Sequence, residues 1–122
     1  MNRTHMLAAA GVAALATGLL ASSAGATAVG GKLVASVADP LSISLKQAGT
    51  KVTKLKAGTY TITVLDKASD HNFHLTGLGV NKSTSVSAKG TTTWKVTLKK
   101  GTYTYVCDPH ASFMKGTFKV TA

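Results

Sequence analysis

The run Thr91–Val120, TTTWKVTLKKGTYTYVCDPHASFMKGTFKV, decides how this chain is read. From Thr93 to Lys99 apolar and polar residues alternate strictly. Trp94, Val96 and Leu98 fall on one parity; Thr93, Lys95, Thr97 and Lys99 fall on the other. A period of two belongs to a strand buried on one face. Lys100-Gly101 turns the chain directly into Thr102–Cys107, where Tyr103, Tyr105 and Cys107 share a face. After a short loop, Met114, Phe118 and Val120 share a parity in a closing strand. The stretch therefore reads as strand, tight turn, strand, loop, strand.

Upstream, the same pattern recurs. Tyr60, Ile62 and Val64 alternate with Thr59, Thr61 and Thr63, and Leu41, Ile43 and Leu45 sit at every second position. Lys32–Val37 is β-rich, and Asp39-Pro40 reads as a turn. In Lys51–Lys56, Val52 and Leu55 are out of step, which predicts a bulge or an edge strand. His71–Thr76 reads as a strand with His71, Phe73 and Leu75 inward and Asn72 and His74 outward. Gly77–Lys82 reads as a loop and Ser83–Ser87 as a short strand. Outside the first residues no window has helical period. The expectation is an all-β Greek-key β-sandwich of about eight strands in a single domain, residues 29–122.

The first residues differ in kind. A short polar start with Arg3, an Ala-rich apolar run from Met6 to Leu20, and a small-residue tail ending at Ala26-Thr27-Ala28 have the layout of a secretory signal peptide. Cleavage is expected after Ala26 or Ala28, and export to the periplasm or the extracellular envelope follows. Losing Arg3 leaves 13 lysines against four aspartates, with no glutamate anywhere. A field so positive suits acidic protein partners or an anionic cell envelope. Nucleic acid is the rival partner for a basic domain. Export and the scattering of the lysines along strands argue against it.

Cys107 is the only cysteine, so no disulfide can form within the chain. A lone cysteine in an exported protein calls for a partner chain, a reactive thiol or a metal. The spacing C-x₂-H-x₃-M places a thiolate, the His110 imidazole and the Met114 thioether on one loop, and His71 offers an inward imidazole from an earlier strand. Two histidines, a cysteine and a long axial methionine make a trigonal site that suits one electron-transferring copper ion, Cu(I)/Cu(II). Phe73, Tyr105, Phe113 and Phe118 are placed to wall it from water. Taken singly, Cys107 and Met114 are ordinary core filler; it is their combination with two histidines that points to a metal. His74 has the wrong parity for a ligand unless a bulge reverses it, and Asp108 reads as a turn residue before Pro109.

From about Thr59 onward the chain resembles the cupredoxins, the small blue-copper proteins, and their plastocyanin-like branch above all. Gly101–His110 is similar to that branch's strand entering the copper loop, Met114–Val120 to its closing strand, and His71-Asn72 to its first histidine followed by asparagine. The resemblance implies His71, Cys107, His110 and axial Met114 as metal ligands. It implies that Asn72 ties its strand to the cysteine loop, and that the function is one-electron transfer. Three residues separate His110 from Met114, one fewer than is usual in plastocyanins. Asp70 stands where proline is common, and the acidic patch of the plant proteins has no counterpart.

The reading is thus an exported, monomeric type 1 copper protein that exchanges single electrons with redox partner proteins, acidic ones among them. It is not read as an enzyme: no paired carboxylates or Ser/His/Asp set is visible. Two other readings use the same residues. One is a copper buffer or delivery protein without fast redox. The other is a metal-free basic β-sandwich that binds anionic surfaces.

Overall fold

The computed structural model describes residues 30–122. The leader expected over residues 1–28 lies outside the described residues. Ten strands follow in chain order: β1 (Lys32–Ala38), β2 (Ser42–Gln47), β3 (Thr50–Lys51), β4 (Lys54–Lys56), β5 (Gly58–Asp66), β6 (His74–Gly77), β7 (Val80–Ser83), β8 (Gly90–Leu98), β9 (Gly101–Val106) and β10 (Lys115–Thr121). They form two five-stranded sheets, ordered β3-β2-β1-β5-β8 and β4-β10-β9-β6-β7. This is the expected sandwich. The higher strand count comes from the short β3 and β4.

The longest alternations behave as their period requires. Tyr60, Ile62 and Val64 of β5 and Trp94, Val96 and Leu98 of β8 are buried, and they meet in register as Tyr60 opposite Val96 and Ile62 opposite Trp94. On the inner face of the second sheet, Phe73 stacks on Tyr105 and Tyr103 on Phe118, each with centroids 5.4 Å apart. Each large apolar side chain buried in this way contributes about 1.5–3 kcal/mol against conformational entropy. Gly116 is required by the same packing: a Cβ there would run into the Tyr105 ring.

Three local expectations are corrected. Val52 and Leu55 are both buried; the edge position expected here is present, since β3 and β4 are edge strands, and the residues are out of step because the chain changes sheets between them rather than bulging. Strand geometry begins only at His74; His71, Asn72 and Phe73 precede it in irregular backbone and all three are buried, so Asn72 points inward after all. The expected Gly77–Lys82 loop holds a hairpin, with β7 pairing on β6 over Val80–Ser83, and Ser85–Ser87 lie outside any strand.

Two look-alike pieces share a device. In Lys56-Ala57-Gly58-Thr59-Tyr60 and Lys99-Lys100-Gly101-Thr102-Tyr103 the tyrosine hydroxyl reaches back four residues. Tyr60 donates to the Lys56 carbonyl at 2.7 Å, and Tyr103 donates to the Lys99 carbonyl at 2.9 Å. Tyr103 Oη also accepts from the Lys99 N–H at 2.8 Å. These are tyrosine corners, which pin a turn to the strand that follows it.

The registers set which groups share an end of the sandwich. Asp66 of β5 lies opposite Gly90, and Val106 of β9 opposite both His74 and Lys115. The segment before β6, the loop after β9 and the start of β10 therefore meet at one end.

Candidate metal centre

At that end β9 stops at Val106, and the chain from Cys107 to Met114 closes into a tight loop. Asp108–His110 form a single 3₁₀ turn, started by Pro109, whose fixed φ suits the first turn. The Cys107 N–H donates to the Met114 carbonyl at 3.0 Å, and the His110 and Met114 N–H groups donate to the carbonyls of Cys107 (3.0 Å) and His110 (2.8 Å). The loop holds itself at both ends, so its side chains keep fixed directions.

Three donor atoms converge there. The Cys107 sulfur lies 3.7 Å from His71 Nδ1 and 3.6 Å from His110 Nδ1, and the two Nδ1 atoms are 3.0 Å apart. Bonds from a first-row metal to imidazole and thiolate run roughly 2.0–2.3 Å, so one ion can reach all three. His71 and Cys107 are fully buried, while His110 is partly exposed. Met114, the fourth predicted ligand, is fully buried on the same loop.

The surrounding hydrogen bonds orient the donors. His71 Nε2 lies 3.0 Å from the Pro40 carbonyl, which can only accept. Nε2 therefore carries the proton, and Nδ1 turns a lone pair toward the sulfur and the other imidazole. Two such nitrogens 3.0 Å apart need a proton or a cation between them. The exposed carboxylates of Asp39 (3.1 Å) and Asp70 (3.7 Å) also face Nε2–H. A carbonyl or carboxylate behind a ligating histidine fixes its ring and strengthens its donor atom. Asp39, Asp70 and His71 could be taken for a second metal cluster. Its nitrogen is already committed as a donor to Pro40, so the trio beside Cys107 is the better site.

Asn72 bridges the two halves of the centre. Its N–H points at the Cys107 sulfur (3.4 Å), its side-chain oxygen accepts from the Asp108 N–H (2.7 Å), and its side-chain nitrogen donates to the Asp108 carboxylate (2.7 Å). The tie between its segment and the cysteine loop is thus present in the geometry. His74 is kept out of the donor set. It bonds the Asp108 carboxylate at 2.9 Å through Nδ1 and Asn81 at 2.6 Å through Nε2.

The bond to Asp108, followed by that to Asn81, raises the His74 pKa above 6.5, although burial opposes it. Burial alone would raise Asp108, but the bonds from His74 and Asn72 outweigh it and hold the carboxyl below 3.8. Sequence reasoning took Asp108 for a turn residue and missed this His74–Asp108–Asn72 chain. The adjacency of Asp108 to Cys107 was the only available signal. It also missed Asp39-Pro40 as the support of His71, which no spacing could reveal across 31 residues. Phe113, expected in the apolar wall, is instead 77% exposed, in the turn that follows the 3₁₀ segment and closes with its N–H donating to the His110 carbonyl. Phe73, Tyr105 and Phe118 are buried.

Over residues 39–121 the chain matches the family model described as copper binding proteins, plastocyanin/azurin family. No curated protein sequence matches it. Among the solved structures that resemble it are several of rusticyanin. Reduced rusticyanin is 23% identical, with a TM-score of 0.54 over 74% of this chain and 78% of that one. Rusticyanin from Thiobacillus ferrooxidans is 23% identical, with a TM-score of 0.53 over 74% of this chain and 76% of that one. A methionine-to-glutamine variant of rusticyanin, also 23% identical and over the same shares, has a TM-score of 0.57. At such identity the likeness concerns the fold.

Proposed function

The chain belongs to the plastocyanin/azurin family of copper-binding proteins, a cupredoxin whose cofactor is one copper ion, and we propose that it is an exported carrier of single electrons. The observation that supports this reading is the convergence of two Nδ1 atoms and one sulfur within 3.7 Å, in a buried pocket held by backbone bonds at both ends of its loop. We assign His71, Cys107 and His110 as the ligands, with Met114 as the weak axial one. Bound copper supplies a reversible one-electron couple, because thiolate and thioether suit Cu(I) and imidazole suits both states.

The protein's own part is to hold still. Pro40 and Asp39 fix the His71 ring, Asn72 fixes the cysteine loop, and the loop's internal bonds fix His110 and Met114. A rigid donor set leaves little to rearrange when one electron arrives or leaves. The buried aromatics Phe73, Tyr105 and Phe118 keep water from the pocket. His110 is the only donor of the trio that reaches the surface, and exposed Phe113 and Leu41 lie at the same end. That patch is where we place docking of redox partners. The leader expected over residues 1–28 supports export. With two of its three donors buried, the site leaves little room for a substrate, which supports a carrier rather than an enzyme.

Voltammetry of the copper-loaded protein tests the reading. A reversible one-electron wave, retained over many cycles in the presence of a competing Cu(I) chelator, is expected. Rapid loss of copper to the chelator with no reversible wave would instead make the protein a copper buffer or delivery factor.

A further inference from the structure

The acids among the described residues are gathered at one end, where only Lys67, Lys89 and Lys115 stand near them. All four aspartates lie at the copper end: Asp39 and Asp70 face His71, Asp108 follows Cys107, and Asp66 closes β5 opposite Gly90. The opposite end has no acidic side chain among the described residues. Lys54 and Lys119 are register partners there, Lys56 pairs with Thr121, and Lys99 and Lys100 form the β8–β9 turn. All five are exposed.

One large aliphatic side chain stands among them. Leu78, in the β6–β7 turn, is 55% exposed and lies over Gly101, where an added Cβ would come 2.7 Å from its Cδ1. It also borders an open groove of about 520 Å³ between β7 and β8, lined on its other sides by Lys82, Lys95 and Lys99. The chain enters the fold at this end as well, since Gly30 abuts Thr59 at the start of β5.

We propose that the lysine end is a docking surface for an anionic phospholipid bilayer, so that the protein lies on the membrane with its copper end turned outward. Lysines attract anionic headgroups, each contributing on the order of 1 kcal/mol near the surface. The carboxylates at the far end are repelled, so the field orients the molecule as well as holding it. The exposed Leu78 within the lysine ring favours lipid over a soluble polyanion, because only a bilayer offers an apolar layer beneath its charges. Such docking leaves His110 and Phe113 free for a redox partner. The proposal rests on the export inferred above but not on copper, because the acids lie at one end whether or not the ion is bound.

The test is co-sedimentation of the copper-loaded protein with vesicles of equal parts phosphatidylglycerol and phosphatidylcholine, and with pure phosphatidylcholine. Binding to the first, little to the second, and release by salt are expected. The double variant Lys99→Gln/Lys100→Gln should weaken binding about five-fold per lysine removed. Lys67→Gln/Lys89→Gln, at the copper end, should leave it unchanged. Leu78→Ser, which alters no charge, should weaken binding to vesicles without altering binding to soluble polyphosphate. The visible copper spectrum of each variant reports that it has folded, and the metal-free protein should bind the same vesicles. Equal losses from both lysine pairs would overturn the proposal, as would indifference to Leu78→Ser. Failure of copper binding with vesicle binding intact would count against the redox reading alone.

Discussion

His74 shows how a side chain outside the donor set can govern it. Its pKa is raised by the bonds to Asp108 and Asn81, so its contribution to stability is fully present below 6.5 and is lost as pH rises through the higher folded value. Asp108 is held below 3.8, so its contribution is present above 3.8 and is lost as pH falls through the lower folded value. The pair thus stabilises the cysteine loop between those limits. Asp108 is about half exposed, and solvent screening keeps the worth of the pair below about 1 kcal/mol. Thermal unfolding across pH should show a mild decline on the alkaline side that His74→Gln abolishes. A second residue-scale prediction concerns Met114. Replacement by leucine removes the thioether that we assign as a weak axial donor while keeping its volume. Copper should still bind, and the reduction potential should rise by at least a tenfold step in the equilibrium constant, ~59 mV for one electron. An unchanged potential in voltammetry would mean that Met114 is core filler.

At the level of elements, the tyrosine corners clamp both turns that feed the sandwich's central strands. Tyr103→Phe keeps the ring on Phe118 but removes two hydrogen bonds with Lys99. Denaturant unfolding should show a loss of about 1–3 kcal/mol, with the copper spectrum unchanged because the corner lies at the end remote from the site. Tyr60→Phe removes one bond and should cost less.

Elements were legible in the sequence where backbone period and side-chain type agreed. β5, β8 and β9 announce themselves through strict alternation, and the donor set announces itself because Cys107, His110 and Met114 share one short loop. Legibility ended where the chain leaves regular geometry. Parity misplaced Asn72 because His71–Phe73 are not in a strand, and at Val52 and Leu55 it pointed to a bulge or an edge, of which the edge is present, where the chain changes sheets. Phe113 was misjudged because the turn that carries it has no two-residue period. The support of His71 by Asp39-Pro40 is a contact between distant segments, which local pattern does not encode.

The whole molecule is a rigid frame with one chemical end. Two sheets share a single core of aromatic and branched side chains, and the loops that leave it at one end bring together donors from residues 71, 107 and 110. The buried donors themselves are surrounded by apolar and hydrogen-bonding groups. Because the donors come from distant segments, metal binding is coupled to the folded state, and copper loading should raise the melting temperature. The most direct test of the central claim is a titration of the metal-free protein with Cu(II), followed by visible absorption. An intense thiolate-to-copper charge-transfer band that saturates at one copper per chain, and is absent in Cys107→Ser, is the predicted result. Saturation without that band, or a band that persists in Cys107→Ser, would contradict the account.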